Sequence, residues 1–577
     1  MYRARALAAA SAAAMVAAGL TGLATTATAA PTKATASGAS SSWLVLADRG
    51  ASTAALVKEL RAAGATVTSV NEAIGLVSVT SKDARFRASA SRIAGVQGVA
   101  ADVSIGSSPN PVKARADKVE KEHQGATAKG KDKGAKAKKG VKADPLDQYL
   151  WGMDMINAPA AHAIERGDKR VTVGVMDTGV DGAHPDLAPN FDAKKSRNFT
   201  TDIEAIDGPC EFTGCVDPAN VDDNGHGTHV AGTIGAALNG RGVSGVAPGV
   251  TLVNVRAGQD SGYFFLGPVT NALTYSGDIG IDVVNMSFYV DPWLYNCRGG
   301  APEDSAPAAA DQEIIIAAMT RALNYANARG VTLVGALGNN HEDLAKPRVD
   351  LSSPDYDNPA YDWDTAPYPR TISNANCLDL PVEGPNVIGV SSLGPTGTKS
   401  DFSNYTTDLS SGEIEVSAPG GWFRDGFGTD TYRTNGNLIL STAPLHVLQA
   451  EGAVDEDGNI TPDGEAAGVM KECVKRVCGY YQYLQGTSMA SPHAAGVAAL
   501  AVSAHGRVDG KRGLTMAPDA VAMLMMRTAT DHACPPGGVR SYAQEGRSAE
   551  WTATCVGNAD FNGFYGAGIV NALGVVQ

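Results

Sequence analysis

From about residue 144 to the C-terminus, short runs rich in Val and Ile alternate with helical segments. The runs are "VTVGVMD", "TLVNVRA", "DVVNMSF", "VTLVGALG", "NVIGVSS" and "EVSAPG". They are apolar at successive positions, so both faces of each strand need cover. A mostly parallel sheet with helices on both faces provides that cover, and the fold class is therefore α/β. Ligands of such sheets bind beyond the carboxyl ends of the strands. The polar residues just past these runs are the candidates for chemistry.

The 143 residues before this region divide into three parts. Arg3 and Arg5 precede the apolar stretch Ala6–Leu23, which ends in small residues near Ala29 and Ala30. This is the pattern of a secretory signal over residues 1–30, and it predicts a secreted, extracellular product without a stable membrane anchor. Residues 42–106 predict a β-α-β-β-α-β unit of the ferredoxin-like kind. Its first helix, "STAALVKELRAAG", starts at Ser52 and stops at Gly64. The second helix and last strand are expected within "SRIAGVQGVAADVSIG". Residues 107–143 contain a Lys-rich stretch, 113–143, with eleven basic and four acidic residues and no apolar periodicity. That composition predicts a disordered, solvated connector. Its net +7 leaves −21 on the rest of a chain whose total is −14, which argues against a nucleic-acid partner.

Four polar residues stand out past the predicted strands. Asp177 ends "VGVMD", His226 lies between two glycines in "NGHGTHVAGT", Asn339 follows "VTLVGALG", and Ser488 opens the helical run in "GTSMASPHAAG". Each also has a structural reading. Asp177 and Asn339 suit turns, and Ser488 suits a helix cap. His226 and His229 lack the His-Glu-x-x-His spacing of a zinc site, and His229 reads as structural. Together, an Asp, a His, an Asn and a Ser supply every part of an acyl-transfer site.

The blocks "VGVMDTGVDGAHPDL", "NGHGTHVAGT", "ALGNN" and "GTSMASPHAAG", in that order, resemble the four signature blocks of the subtilisin-like serine proteases. "VSAPGG" and the closing "YGAGIVNALGVVQ" are also similar to that family, so the resemblance covers about Leu150 to Gln577. It implies a serine endopeptidase with Asp177, His226 and Ser488 as catalytic triad and Asn339 in the oxyanion hole. It also implies that the first unit is an inhibitory and chaperoning propeptide, that the substrates are proteins or peptides, and that the enzyme is a monomer needing no cofactor for its chemistry. The competing reading is a secreted binding protein on a silent protease fold. An esterase would carry Gly-x-Ser-x-Gly, which is absent around Ser488.

The resemblance further assigns Ser287, Phe288, Gly262, Phe264 and Gly338 to substrate binding. "NMSFYVDPW" departs from the family's "NMSLGG", placing Phe288 and Tyr289 where Leu and Gly are expected. Phe264 has two readings, an apolar outer subsite or core filling. Asp222 and Asp223 read either as a solvated turn or as acids that favour a basic substrate residue. Asp186 in "HPDL" matches a family calcium ligand, although the loop "ALNGRGVSGVAP" is shorter than the common calcium loop. The insertion 342–385 carries Asp355, Asp357, Asp362 and Asp364, which read as a calcium set or an acidic surface loop. Eight cysteines in an exported chain read as disulfides. Proximity in sequence suggests Cys210–Cys215, Cys473–Cys478 and Cys534–Cys555, leaving Cys297 with Cys377.

Overall fold

The structure is a computed structural model; it describes residues 40–102, 119–122, 143–354, 368–510 and 513–577, with the side chain of Ala205 left out. The expected signal segment, most of the connector and the acids at 355, 357, 362 and 364 lie outside the described residues.

Residues 40–102 form β1 (Ser41–Ala47), α1 (Thr53–Ala62), β2 (Thr66–Asn71), β3 (Leu76–Ser81), α2 (Phe86–Ala90) and β4 (Val96–Ala101). The sheet order is β2-β3-β1-β4 with antiparallel pairing. Ser52 caps α1 by accepting the Ala55 N–H. The second helix begins earlier than the sequence pattern predicts, because Phe86 and Ala90 are the residues that reach the core.

β1 is buried throughout "WLVLA" because it is sandwiched. Trp43, Val45 and Ala47 pack inward with Leu56, Leu60 and Val79. Leu44 and Leu46 point the other way and join a core built from the following domain.

That domain holds a seven-stranded parallel sheet of β5 (Thr172–Met176), β6 (Arg197–Asn198), β7 (Thr251–Arg256), β8 (Val283–Met286), β9 (Thr332–Ala336), β10 (Val387–Leu393) and β11 (Val416–Pro419). The order is β11-β10-β9-β8-β5-β7-β6. Six strands coincide with the six apolar runs, and the two-residue β6 is the addition. Alternation across the sheet is direct. Val173, Leu252, Val283 and Val334 face α3 (His226–Gly235) and α6 (Thr487–His505), whereas Val253, Val284 and Leu333 face α4 (Leu266–Ile279) and α5 (Ala306–Ala328). An antiparallel sheet, β12 (Ile439–Ala443), β14 (Val477–Leu484) and β13 (Met470–Val474), delivers the chain into α6.

The first unit sits on α4 and α5. Leu44, Leu46, Ile74 and Leu76 share one core with Ile314, Ile315 and Ala318. Arg321 Nη1 donates to Ala47 O at 2.9 Å and Ile74 O at 2.7 Å. Asn71 Nδ2 donates to Asn271 Oδ1 and Thr274 Oγ1, each at 2.9 Å. Arg87 pairs with Asp311 at 2.5 Å. The eight cysteines form four disulfides, Cys210–Cys215, Cys297–Cys377, Cys473–Cys478 and Cys534–Cys555. No helix among the described residues is long and apolar enough to cross a membrane.

Candidate active site

Strand order reverses direction at β5, which has β7 on one side and β8 on the other. A crevice opens at such a switch point. Asp177 follows β5, Gly262 lies after β7, Ser287 follows β8 and Gly338–Asn339 follow β9. All of them line one cleft of about 1000 Å³, except the fully buried Asp177.

Asp177 Oδ1 accepts the Nδ1–H of His226 at 2.7 Å and the Thr178 N–H at 2.8 Å. The approach of α3 to β5 depends on Gly227. A Cβ there would stand 2.1 Å from Gly179 O and 2.9 Å from Asp177 Cβ. The start of α3 is held by Asp222. It is fully buried and accepts from Thr178 Oγ1 at 2.9 Å, Gly225 N at 3.0 Å, Thr228 N at 2.9 Å and Thr228 Oγ1 at 2.6 Å. Asp222 is therefore neither a solvated turn nor a contact for a basic substrate residue. Asp223 pairs with His446 at 2.9 Å. His229 is buried with Nε2 bonded to Ile439 O and Gln482 O, and burial pushes its pKa down to about 3. It is a neutral structural donor.

Ser488 lies in the first turn of α6, where backbone N–H groups have no intrahelical partner. Its hydroxyl is not a cap. Ser488 Oγ donates to Ser287 O at 3.4 Å and lies close enough to Glu120 to interact with its carboxylate. The capping role falls to Asn339, whose Oδ1 accepts both the N–H and the Oγ1–H of Thr487 at 2.9 Å. With Oδ1 so held, Nδ2 is turned toward Gly486, 3.5 Å from where a Cβ would sit. Gly338 has φ +102°, and a Cβ there would press to 2.4 Å on Asn404 Nδ2. Pro492, inside α6, removes the N–H that would bond the Ser488 carbonyl. Ser287 Oγ approaches that carbonyl at 3.2 Å instead and also meets Ser491 Oγ at 2.7 Å.

The substrate-binding candidates are mixed in their environment. Phe288 stacks on Phe264 with centroids 4.0 Å apart and planes at 2°. Phe264 is 4% exposed and belongs to the core, so its two readings merge: it fills core and backs Phe288 at the cleft wall. Gly262 has φ +77° and turns the chain at the cleft edge.

Asp186 does not fit a cation site. Oδ2 accepts from Val243 N at 3.0 Å and Tyr481 OH at 2.8 Å, and Oδ1 from Asn239 Nδ2 at 3.3 Å. Donors stand where a hard cation needs further oxygens. Burial raises its carboxyl pKa to about 7.

Composition alone missed a second chain segment in the cleft. Val119–Glu122, from the run expected to be solvated, lies against the site. Glu120 Oε1 is 3.6 Å from His226 Nε2, within ion-pair reach, and the carboxylate also interacts with the Ser488 hydroxyl. Burial opposes charge on His226, but the Asp177 and Glu120 carboxylates outweigh it and hold the imidazole pKa well above its usual value. Burial likewise opposes charge on Glu120, but the His226 charge and hydrogen bonds from His226 and Ser488 hold it below the usual value. Glu120 thus lies against both the imidazole and the hydroxyl. The signal available in sequence is the grouping of Glu120 and Glu122 beside Val119 in a stretch dominated by Lys, Ala and Gly.

The subtilase family model matches residues 168–568. Subtilisin Savinase of Lederbergia lenta is 27% identical over 306 residues, covering 53% of this chain and 84% of that protein. Thermitase of Thermoactinomyces vulgaris is 28% identical over 329 residues, covering 56% and 89%. The epidermin leader peptide processing serine protease of Staphylococcus aureus superposes with a TM-score of 0.57 at 19% identity, covering 93% of this chain and 98% of that one. The last likeness concerns the fold alone. The parallel sheet, the crevice at its switch point and the matched family model agree: the chain belongs to the subtilase family of serine peptidases.

Proposed function

We propose that the chain is a secreted serine endopeptidase made as a zymogen, with Ser488 as nucleophile. The observation that carries this is the convergence of Asp177, His226, Asn339 and Ser488, from four separate stretches, on one cleft. With Glu120 withdrawn, Ser488 Oγ attacks a peptide carbonyl as His226 Nε2 takes its proton, and His226 then passes that proton to the leaving amine. Asp177 fixes the tautomer and stabilises the imidazolium. Asn339 Nδ2 and the Ser488 N–H stabilise the oxyanion, aided by the positive end of α6. Water releases the acyl group by the same steps in reverse. No cofactor enters these steps.

Residues 42–106 act as the propeptide, chaperoning the domain through the α4–α5 contact and then leaving it. The four disulfides and the signal-like start support export to an oxidising compartment. The aromatic wall at Phe288 supports a hydrophobic-leaning preference for the residue before the cut.

Casein hydrolysis and labelling by phenylmethanesulfonyl fluoride test the reading, with Ser488→Ala as control. The wild type is expected to do both. The variant should lose turnover on the order of 10⁴-fold or more and accumulate uncut. A folded wild type that neither cleaves nor labels would favour the silent binding protein.

A further inference from the structure

Glu120 meets the catalytic pair, but Glu122 is the better held residue. Its Oε1 accepts from Arg424 Nε at 2.7 Å and Nη2 at 2.5 Å. Its Oε2 accepts from Gln485 Nε2 at 3.1 Å and lies 3.8 Å from Arg547 Nη2. The surrounding protein holds these donors in position. Arg424 Nη1 donates to Glu545 O at 3.0 Å. Arg547 donates to Asp401 Oδ2 at 2.5 Å and lies over the Trp551 ring at 4.1 Å. Gln485 is fully buried, and its Oε1 accepts the Phe423 N–H at 2.6 Å, so its amide nitrogen faces the cleft.

Arg547 has Asp401 as counter-charge. Among the described residues, Arg424 has no carboxylate partner except Glu122, and with that segment in place its side chain is 18% exposed. A half-sequestered guanidinium without a counter-charge is unfavourable, and a bidentate carboxylate is its best partner. The chain runs from Glu120 at Ser488 to Glu122 at the arginines. The segment is one helical turn, with Glu122 N–H donating to Val119 O at 3.3 Å; an extended substrate lying in the same direction would carry a residue C-terminal to the cleaved bond toward the arginines.

We propose that Arg424, Gln485 and Arg547 form a subsite for an acidic side chain on the leaving-group side of the scissile bond, and that Val119–Glu122 is its resident occupant in the uncleaved chain. The occupant is a stand-in for substrate: Glu120 blocks the catalytic pair, while Glu122 supplies the anchoring charge. The proposal rests on the serine-peptidase reading above.

Two fluorogenic peptides that differ only by Glu or Gln at the second residue after the cut test it on the full chain. The expected preference in kcat/KM is about tenfold or more for Glu, the size of a hydrogen-bonded charge contact. In Arg424→Gln the ratio should fall toward one, and in Arg424→Glu a Lys peptide should overtake the Glu peptide. A general loss of structure would not reverse the preference. Glu122→Gln should raise turnover of the Glu peptide by freeing the subsite. Equal use of both peptides by the wild type, or a ratio unmoved by either Arg424 variant, overturns the proposal. If a folded chain cuts neither peptide, the peptidase reading fails instead. Fluorescence anisotropy of the labelled peptides on a Ser488→Ala/Glu122→Gln chain then decides the subsite: tighter Glu binding sustains it and equal affinity overturns it.

Discussion

Two parts of the chain's first quarter grip the same domain by different physics. Residues 40–102 press Leu44, Leu46, Ile74 and Leu76 into a core shared with α4 and α5. Residues 119–122 enter the cleft with two carboxylates, one valine and Lys121, which pairs with Glu451. The first grip is mostly apolar area, at roughly 1.5–3 kcal/mol for each fully buried side chain. The second is a few charged contacts, which salt and pH weaken readily. An apolar seat favours assembly of the domain around it, and a polar plug favours release. On the zymogen reading proposed above, chaperoning and blocking would fall to separate segments.

The sharpest cut through that comparison is at the chemistry itself. Asn339→Ala should lower kcat by on the order of 10²–10³-fold. Losing the cap on Thr487 should also cost about 0.5–2 kcal/mol of the domain's stability, but the refolding yield that the first unit's seat supports should stay as it was. Next, Leu46→Ala should cost about 2–4 kcal/mol of that seat. Refolding yield from denaturant would fall, whereas kcat/KM of enzyme already processed would stay the same. If yield holds, the apolar seat is not what assists folding.

A smaller effect is expected from pH on the plug. His226 is faced by Asp177, Glu120 and the neutral His229, and only the Glu120 share leaves with the segment. That share raises the imidazole pKa above the value it keeps beside Asp177 alone, so it is fully present below that value and fades as pH rises through the higher, plugged one. Glu120, held low, adds binding above its ordinary 4.5 and loses it as pH falls through the depressed value. Occupancy should peak between these limits and decline at alkaline pH. Inhibition of a short substrate by the tethered segment, measured against pH in wild type and Glu120→Gln, checks this. A flat difference between them contradicts it. Smallest of all, Arg321→Ala removes three hydrogen bonds, to Ala47 O, Ile74 O and the exposed Gln97 Oε1, and should cost about 1–2 kcal/mol, visible as a lower melting midpoint of the uncut chain.

How much of this was legible beforehand depended on whether the signal was local. The six apolar runs announced the six longer strands because a doubly covered strand must be apolar at every position. The positions of Asp177, His226, Asn339 and Ser488 were legible because each adjoins such a run or a glycine-bounded helix start. Asp222 was misjudged because its partners, Thr178 and Thr228, lie 44 and 6 residues away, and only the fold brings them together. Asp186 followed a family pattern, but Tyr481, 295 residues distant, fills the place a cation would need. Val119–Glu122 was hidden for the same reason. A charged tetrapeptide reads as solvated until the arginines that receive it, more than three hundred residues later, come into view.

Asn339 is tied by its carbonyl side to the backbone and hydroxyl of Thr487. The group proposed to steady the developing negative oxygen is thereby fastened to the residue beside the proposed nucleophile. Thermal drift of that helix start carries both together. The distance that governs the barrier then varies less than the position of either part, and loosening this tether at Thr487 would blur the alignment without removing any reacting atom.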